Sequence, residues 1–391
     1  MGNNYSLFGH SIEHRIKSFR NAFLHIRTDV LPRFCRSRPP ALKRIVHVPA
    51  KHPCDLHALA AIDSNWLLTG GQDGIVRVYD FTDGSIVNQW DEHGGQVTKL
   101  DYSFQHGRGM FLSRSADETI RLFDMCNQKA VQQYGRAGMT VEGLSFLEGD
   151  HFLSAGFNSG LLVWNAETAE VVAEARADGY FITNMCRVPQ SELMCTSGID
   201  GRLQLWDLSS MSSTATLTAN GLPLTSCTVD SSGRFLLATE GLLGDEEADK
   251  DENFGGVQLW DLRQGQLIDR FYGHQKPAVA AFFLSNGLNS AENFVSIGDD
   301  QQLVVWSAED SEVPLAAEPL TDVAGDPRIG AAALLGTNRL AIVGQDGLVA
   351  SVEIFFEKGD DPRIHVATME SQHHDRVNEL WQRKLESLGF V

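Results

Sequence analysis

Residues 193–207 read LMCTSGIDGRLQLWD: a short apolar run ending in Thr196-Ser197-Gly198, a tight turn at Asp200-Gly201, and a second run ending in Trp206-Asp207. Arg202 and Gln204 alternate with Leu203 and Leu205, the period of two that marks a half-buried strand. Asp200 stands in the turn, where its carboxylate can accept backbone N–H groups. The stretch reads as one hairpin, and a lone hairpin is too small to be stable in water.

The pattern recurs along most of the chain. Copies stand at 66–80 (WLLTGGQDGIVRVYD), 110–124 (MFLSRSADETIRLFD), 151–165 (HFLSAGFNSGLLVWN) and 293–307 (NFVSIGDDQQLVVWS), with a most eroded copy at 339–353 (RLAIVGQDGLVASVE). One more is split, FLLATEG at 235–241 resuming as GGVQLWD at 255–261. That makes seven, ending at positions 80, 124, 165, 207, 261, 307 and 353. Apart from the split copy, the spacing is near the period of a four-stranded blade. The expected fold is all-β, a seven-bladed β-propeller over residues 44–369, in which radial repetition lets one core run long. The 36 glycines and 21 phenylalanines suit many turns and strand-filling aromatics.

The dipeptides Trp206-Asp207 and Trp260-Asp261, with weaker matches at Tyr79-Asp80, Phe123-Asp124, Trp164-Asn165 and Trp306-Ser307, resemble the WD-repeat family over about residues 55–355. In that family a His, a Ser or Thr, an Asp and a Trp form a buried hydrogen-bonded set in each blade. The resemblance implies one complete set here, His274, Ser296, Asp300 and Trp306, and a second with His93, Ser113, Asp117 and Phe123. In composition these mimic a catalytic triad. Recurrence at the repeat period favours a structural role, because buried polar groups need partners. Phe254 to Gln264 (FGGVQLWDLRQ), with the N-terminal motif below and the irregular fifth blade, is similar to a small cilium-associated group within the family. Trp260-Asp261-Leu262-Arg263 also resembles the W-D-x-R box of substrate receptors of cullin-type ubiquitin ligases, where Arg263 would contact the ligase. A blade cannot bury its faces alone, so the ring must close. Either Ile45 to Val48 or Ile364 to Ala367 would supply the closing strand, and the residues leave both open.

Charge is unevenly placed. The chain carries −19, yet residues 1–53 hold ten Lys and Arg against two Asp and Glu (+8), leaving −27 for the rest. An acidic body argues against nucleic acid as partner. The six cysteines, Cys35, Cys54, Cys126, Cys186, Cys195 and Cys227, show no CxxC pair and read as reduced thiols. No apolar run is long enough to span a membrane, and no secretory signal is evident.

The basic head, residues 1–43, begins MGNNYS, matching the N-myristoylation pattern with Gly2 as acceptor and Ser6 in place. Ile12, Ile16, Phe19, Phe23 and Ile26 step by four and three, one stripe of a helix over 10–27. Arg15, Lys17, Arg20 and Arg27 occupy other faces. One myristoyl chain binds membranes only marginally, so a basic amphipathic segment is the expected second signal toward anionic lipid. Membrane contact is assigned to Ile12, Arg15, Ile16, Lys17, Phe19, Arg20 and Phe23, and Cys35 in PRFCRSRPP is a palmitoylation candidate. The bland alternative packs this stripe on the acidic ring. Residues 370–391 carry a second stripe, Val377, Leu380, Trp381, Leu385 and Leu388, expected as a short C-terminal helix.

The split repeat holds an acidic insertion, GDEEADKDENFGG at 244–256. Asp249, Asp251 and Asn253 begin like a calcium loop, but Phe254 stands where the turn glycine belongs and Trp260 where the bidentate Glu belongs. A solvated loop is the plain reading. The functional one is a dock for a basic partner through Asp245, Glu246, Glu247, Asp249, Asp251 and Glu252. No nucleophile–base motif, metal spacing or phosphate loop appears, so no cofactor and no small-molecule substrate are expected. The expectation is a non-enzymatic protein-interaction scaffold, tethered by Gly2 to the cytoplasmic face of a membrane in ciliary or vesicle traffic. The alternative is the ubiquitin-ligase receptor.

Overall fold

The computed structural model describes residues 46–47, 54–356 and 362–365, apart from 81–83, 106, 128, 136–140, 157–159, 177–180, 220, 242–254, 285–292, 321–327, 337–338 and 348. The chain divides into two units, Met1–Pro39 and Pro40–Val391. The first lies outside the described residues, as do the expected arm helix and the C-terminal helix at 370–391.

The described residues of the second unit form seven antiparallel sheets. Blade 1 has strands Leu56–Ala61, Trp66–Gly71, Ile75–Asp80 and Ser85–Asp91. Blade 2 has Val97–Gln105, Arg108–Ser115, Ile120–Asp124 and Ala130–Tyr134. Blade 3 runs from Gly143–Phe146 to Val171–Ala175, blade 4 from Ile182–Arg187 to Ser212–Thr218, blade 5 from Leu224–Val229 to Gln266–Tyr272, and blade 6 from Ala278–Leu284 to Ala316–Pro319. In each, the strands pair in sequence order. The expected propeller is therefore present, and each quoted repeat forms the second and third strands of a blade.

Blade 7 supplies three strands in that order, Ile329–Leu335, Arg339–Gly344 and Val349–Phe356. Its fourth position is shared by parts of both candidate segments, the second strand standing two residues earlier than expected. Val46 and His47 pair with Ser351 and Ala350, while Pro362–His365 pairs with Phe356 through Glu353. The third strand has eight residues, enough for one short strand beside each half.

The innermost strand of each blade touches those of its two neighbours, and Leu56–Ala61 touches Ile329–Leu335, so the ring is closed. The core is seven interfacial clusters, one at each joint. Three joints share one device. An aromatic from the outer strand of one blade meets a stacked aromatic pair of the next edge-on. Trp90 stands 4.8 Å from Phe111, itself stacked on Phe123 at 4.6 Å. Tyr134 stands 4.8 Å from Phe152, and Phe271 4.7 Å from Phe294. Such pairs add about 0.5–1.5 kcal/mol each beyond area burial. The joint between blades 7 and 1 is aliphatic, built on Leu56, Leu67, Leu335 and Val343.

Candidate functional site

Antiparallel order gives the ring two faces. One carries the turns between second and third strands together with the connections between blades, and is called here the connection face. The other carries the remaining turns.

The two predicted His–Ser–Asp sets form on the connection face. His274 pairs through Nδ1 with Asp300 Oδ1 at 3.0 Å and through Nε2 with Ser296 Oγ at 2.7 Å. The carboxylate can only accept, so Nδ1 carries the proton and Ser296 donates to Nε2. Trp306 Nε1 donates to the same Ser296 Oγ at 2.8 Å. In blade 2, His93 meets Asp117 at 2.9 Å and Ser113 at 2.6 Å, with Phe123 in the Trp position. Burial alone would raise Asp117, but hydrogen bonds from Thr119 and His93 hold its carboxyl well below the usual range. Asp300 is likewise held low, against burial, by His274 and the Gln275 N–H. Burial pushes the His93 imidazole below its ordinary range, and its bond to Asp117 offsets this only in part.

The bond order is that of an acyl-transfer triad, but the placement is not. Ser113 and Ser296 are fully buried, and neither lines the cavity at the ring's centre. In blade 6 the serine oxygen is already engaged by Trp306. Each set joins the connection entering a blade to that blade's second and third strands.

Four further blades place other residues in this frame. Trp164 donates to Ser154 at 2.8 Å in blade 3, and Trp206 to Thr196 at 2.9 Å in blade 4. In blade 1, Cys54 stands where His274 stands. A methyl group on Gly71 would strike Cys54 Sγ and Asp73, as one on Gly298 would strike His274 and Asp300. Arg77 then occupies the interior and pairs with Asp73 at 2.7 Å, its own side chain buried and the Asp73 carboxylate partly exposed. In blade 5 the Ser position is Ala238, since Ala238 pairs with Gln258 as Ser296 pairs with Val304. Trp260 Nε1 donates instead to Gln258 Oε1 at 2.8 Å, and the Gln258 amide donates to buried Glu240.

The central channel encloses about 950 Å³ between the innermost strands. Lys99, Asp101, Glu142, Cys186, Cys227 and Lys276 are among its walls. Burial pushes Asp101 up to about 6 although its carboxylate accepts the Phe146 N–H at 2.7 Å. Burial also pushes Lys99 down, with Glu142 opposing. Sequence reasoning missed this lining and the approach of Cys186, Cys195 and Cys227. Their linear spacing is irregular, and only strand register reveals the grouping.

The remaining predicted site residues divide cleanly. Gly2, Ile12, Arg15, Ile16, Lys17, Phe19, Arg20, Phe23 and Cys35 lie outside the described residues, as do Asp245, Glu246, Glu247, Asp249, Asp251 and Glu252. The strands that the insertion joins end at Glu240 and resume at Gly256, both on the connection face. Gly255 has φ +89°, and any side chain there would strike the Lys276 backbone oxygen, so the re-entry is tied to the connection carrying His274. Arg263 is exposed on the opposite face. Its backbone N–H donates to Asp261 Oδ1 at 2.9 Å, and Arg234 holds Asp261 Oδ2.

Residues 48–80 match the family profile described as WD domain, G-beta repeat. Nuclear distribution protein nudF of Aspergillus niger is 25% identical over 252 residues, covering 61% of this chain and 56% of that protein. Nuclear distribution protein PAC1 of Arthroderma otae is 23% identical over 299 residues, covering 69% of this chain and 63% of its own. Pre-mRNA-processing factor 19 of Bos taurus is 28% identical over 171 residues, covering 43% of this chain and 34% of its own length. The chain thus spans less than two thirds of each of these relatives.

Proposed function

We propose that this chain, a WD-repeat β-propeller, is a non-enzymatic protein-interaction scaffold tethered to a membrane through Gly2. One observation carries the non-enzymatic part. The groups that would compose a catalytic triad are sealed inside blades 2 and 6, with each serine fully buried. Function then falls to surface residues on a rigid ring, the usual division of labour between scaffold and loops.

The basic residues of 1–43 and the acidic ring support a division in the scaffold reading: cations toward anionic lipid, and the insertion at 244–256 toward a basic protein partner. Gly2 and the Ile12, Ile16, Phe19 and Phe23 stripe supply the two weak anchors that stable attachment needs. Membrane fractionation of the full chain against Gly2→Ala tests the tether. Wild type should pellet with membranes and Gly2→Ala should shift to the soluble fraction. Equal solubility of the two would refute it.

A second reading rests on Arg263, which is exposed beside the ordered Asp261 turn. There the chain would be a substrate receptor of a cullin-type ubiquitin ligase. Co-purification of the ligase adaptor, abolished by Arg263→Ala, would support it. An adaptor that is absent, or indifferent to Arg263→Ala, would end it.

A further inference from the structure

Cys186 lies on the innermost strand of blade 4, Ile182–Arg187, and faces Cys195 on the adjoining strand in direct register. Cys227 lies on the innermost strand of blade 5. The three sulfurs all lie within 4.8 Å of one another, and Cys186 and Cys227 are 3.5 Å apart. Cys195 and Cys227 are buried, Cys186 is half-buried, and Cys186 and Cys227 line the channel.

We propose that Cys186, Cys195 and Cys227 form a three-thiolate site for one thiophilic d10 ion of the zinc class, with its remaining position open to the channel. The dimensions support it. A Zn–S bond of about 2.3 Å places tetrahedral sulfurs about 3.8 Å apart and trigonal ones about 4.0 Å apart. The observed separations bracket these values, so binding requires shifts of under about 1 Å at each sulfur. Thiolates select zinc-class or cuprous ions over hard cations such as magnesium or calcium. Binding would displace three protons into solvent, with no change of oxidation state. Because the ligands come from two blades, the ion would staple the joint between blades 4 and 5.

The test uses the full chain, reduced and kept from air, with Cys35→Ser, Cys54→Ser and Cys126→Ser introduced so that only the trio remains. Cadmium(II) is titrated in, and the ultraviolet thiolate-to-metal charge-transfer band is followed. One equivalent is expected, followed by competition with zinc(II) at the same stoichiometry. Saturation at 100 times Kd should multiply the folding constant about 100-fold, read as a raised Tm. Cys186→Ser, half-exposed and so the variant least disruptive to the fold, should reduce affinity at least about tenfold. Circular dichroism confirms that each variant is folded. Absence of the band in the folded trio-only protein, or binding untouched by Cys186→Ser, would overturn the proposal. So would peptide mapping that finds a Cys186–Cys227 disulfide in protein unable to take up metal after reduction.

Discussion

Ser296→Ala removes one oxygen that closes two bonds. In the wild type, Ser296 Oγ donates to His274 Nε2 at 2.7 Å and accepts from Trp306 Nε1 at 2.8 Å. Ser296 and Trp306 are fully buried, and the His274 side chain is sealed, so water cannot replace the lost partner. Each orphaned buried group costs about 1–3 kcal/mol, giving a loss of about 2–6 kcal/mol. The ring of roughly 300 residues has an unfolding entropy of about 0.6 kcal/mol/K, so Tm should fall by about 3–10 °C where unfolding is cooperative. Urea titration and calorimetry measure both quantities. Ser296→Thr is the control, because Thr196 already fills the same role for Trp206 in blade 4. It should cost less than half as much as alanine. His274→Ala combined with Ser296→Ala should show coupling above about 0.5 kcal/mol. A Ser296→Ala protein within about 0.5 kcal/mol of wild type would refute the reasoning, since that is the range of an inconsequential surface change.

In blade 5, Gln258→Val strips Trp260 of its acceptor and Glu240 of its donor, and should destabilise by about 2–4 kcal/mol in urea titration. Combined Ala238→Ser, Glu240→Gly and Gln258→Val rebuilds the Ser296, Gly298 and Val304 pattern of blade 6 and should recover most of that loss. Asp101 is raised to about 6 from 3.8, so its contribution is full below about pH 3.8 and lost as pH rises through about 6. Asp101→Asn keeps an acceptor for Phe146 N–H and should stabilise by about 1–3 kcal/mol at pH 8, the gain shrinking toward pH 4; a pH-independent gain would contradict the assignment. Asp117 has the opposite sign: its contribution is full above about pH 3.8 and lost as pH falls through its lower folded value. Asp117→Asn should therefore cost about 1–3 kcal/mol at pH 7, with the difference from wild type closing in acid, as read by thermal melts across pH.

The blades were legible because each repeat states its own local physics: alternation for strands, an Asp for the turn, an aromatic for the joint. The sets at His93 and His274 were legible for the same reason, since their members stand at fixed offsets. Blade 5 was not. Its compensation for Ala238 runs through Gln258 and Glu240, which are brought together by cross-strand pairing rather than by a motif. Ring closure was undecidable from residues, because the answer depends on register. Val46–His47 and Pro362–His365 use different halves of one strand edge. Cys54 in the His position and the Cys186, Cys195 and Cys227 grouping escaped for the same reason. The anchor at Gly2 and the acidic insertion remain sequence readings, outside the described residues.

The central claim is that the His–Ser–Asp sets hold blades together and leave function to the surface. The most direct test exposes the folded full chain to a fluorophosphonate, which reacts covalently with an activated serine hydroxyl, and reads adduct formation by intact mass and peptide mapping. The account predicts no adduct at Ser113 or Ser296 in the native protein. Stoichiometric labelling of Ser296 that disappears in His274→Ala, with the variant still folded, would contradict it.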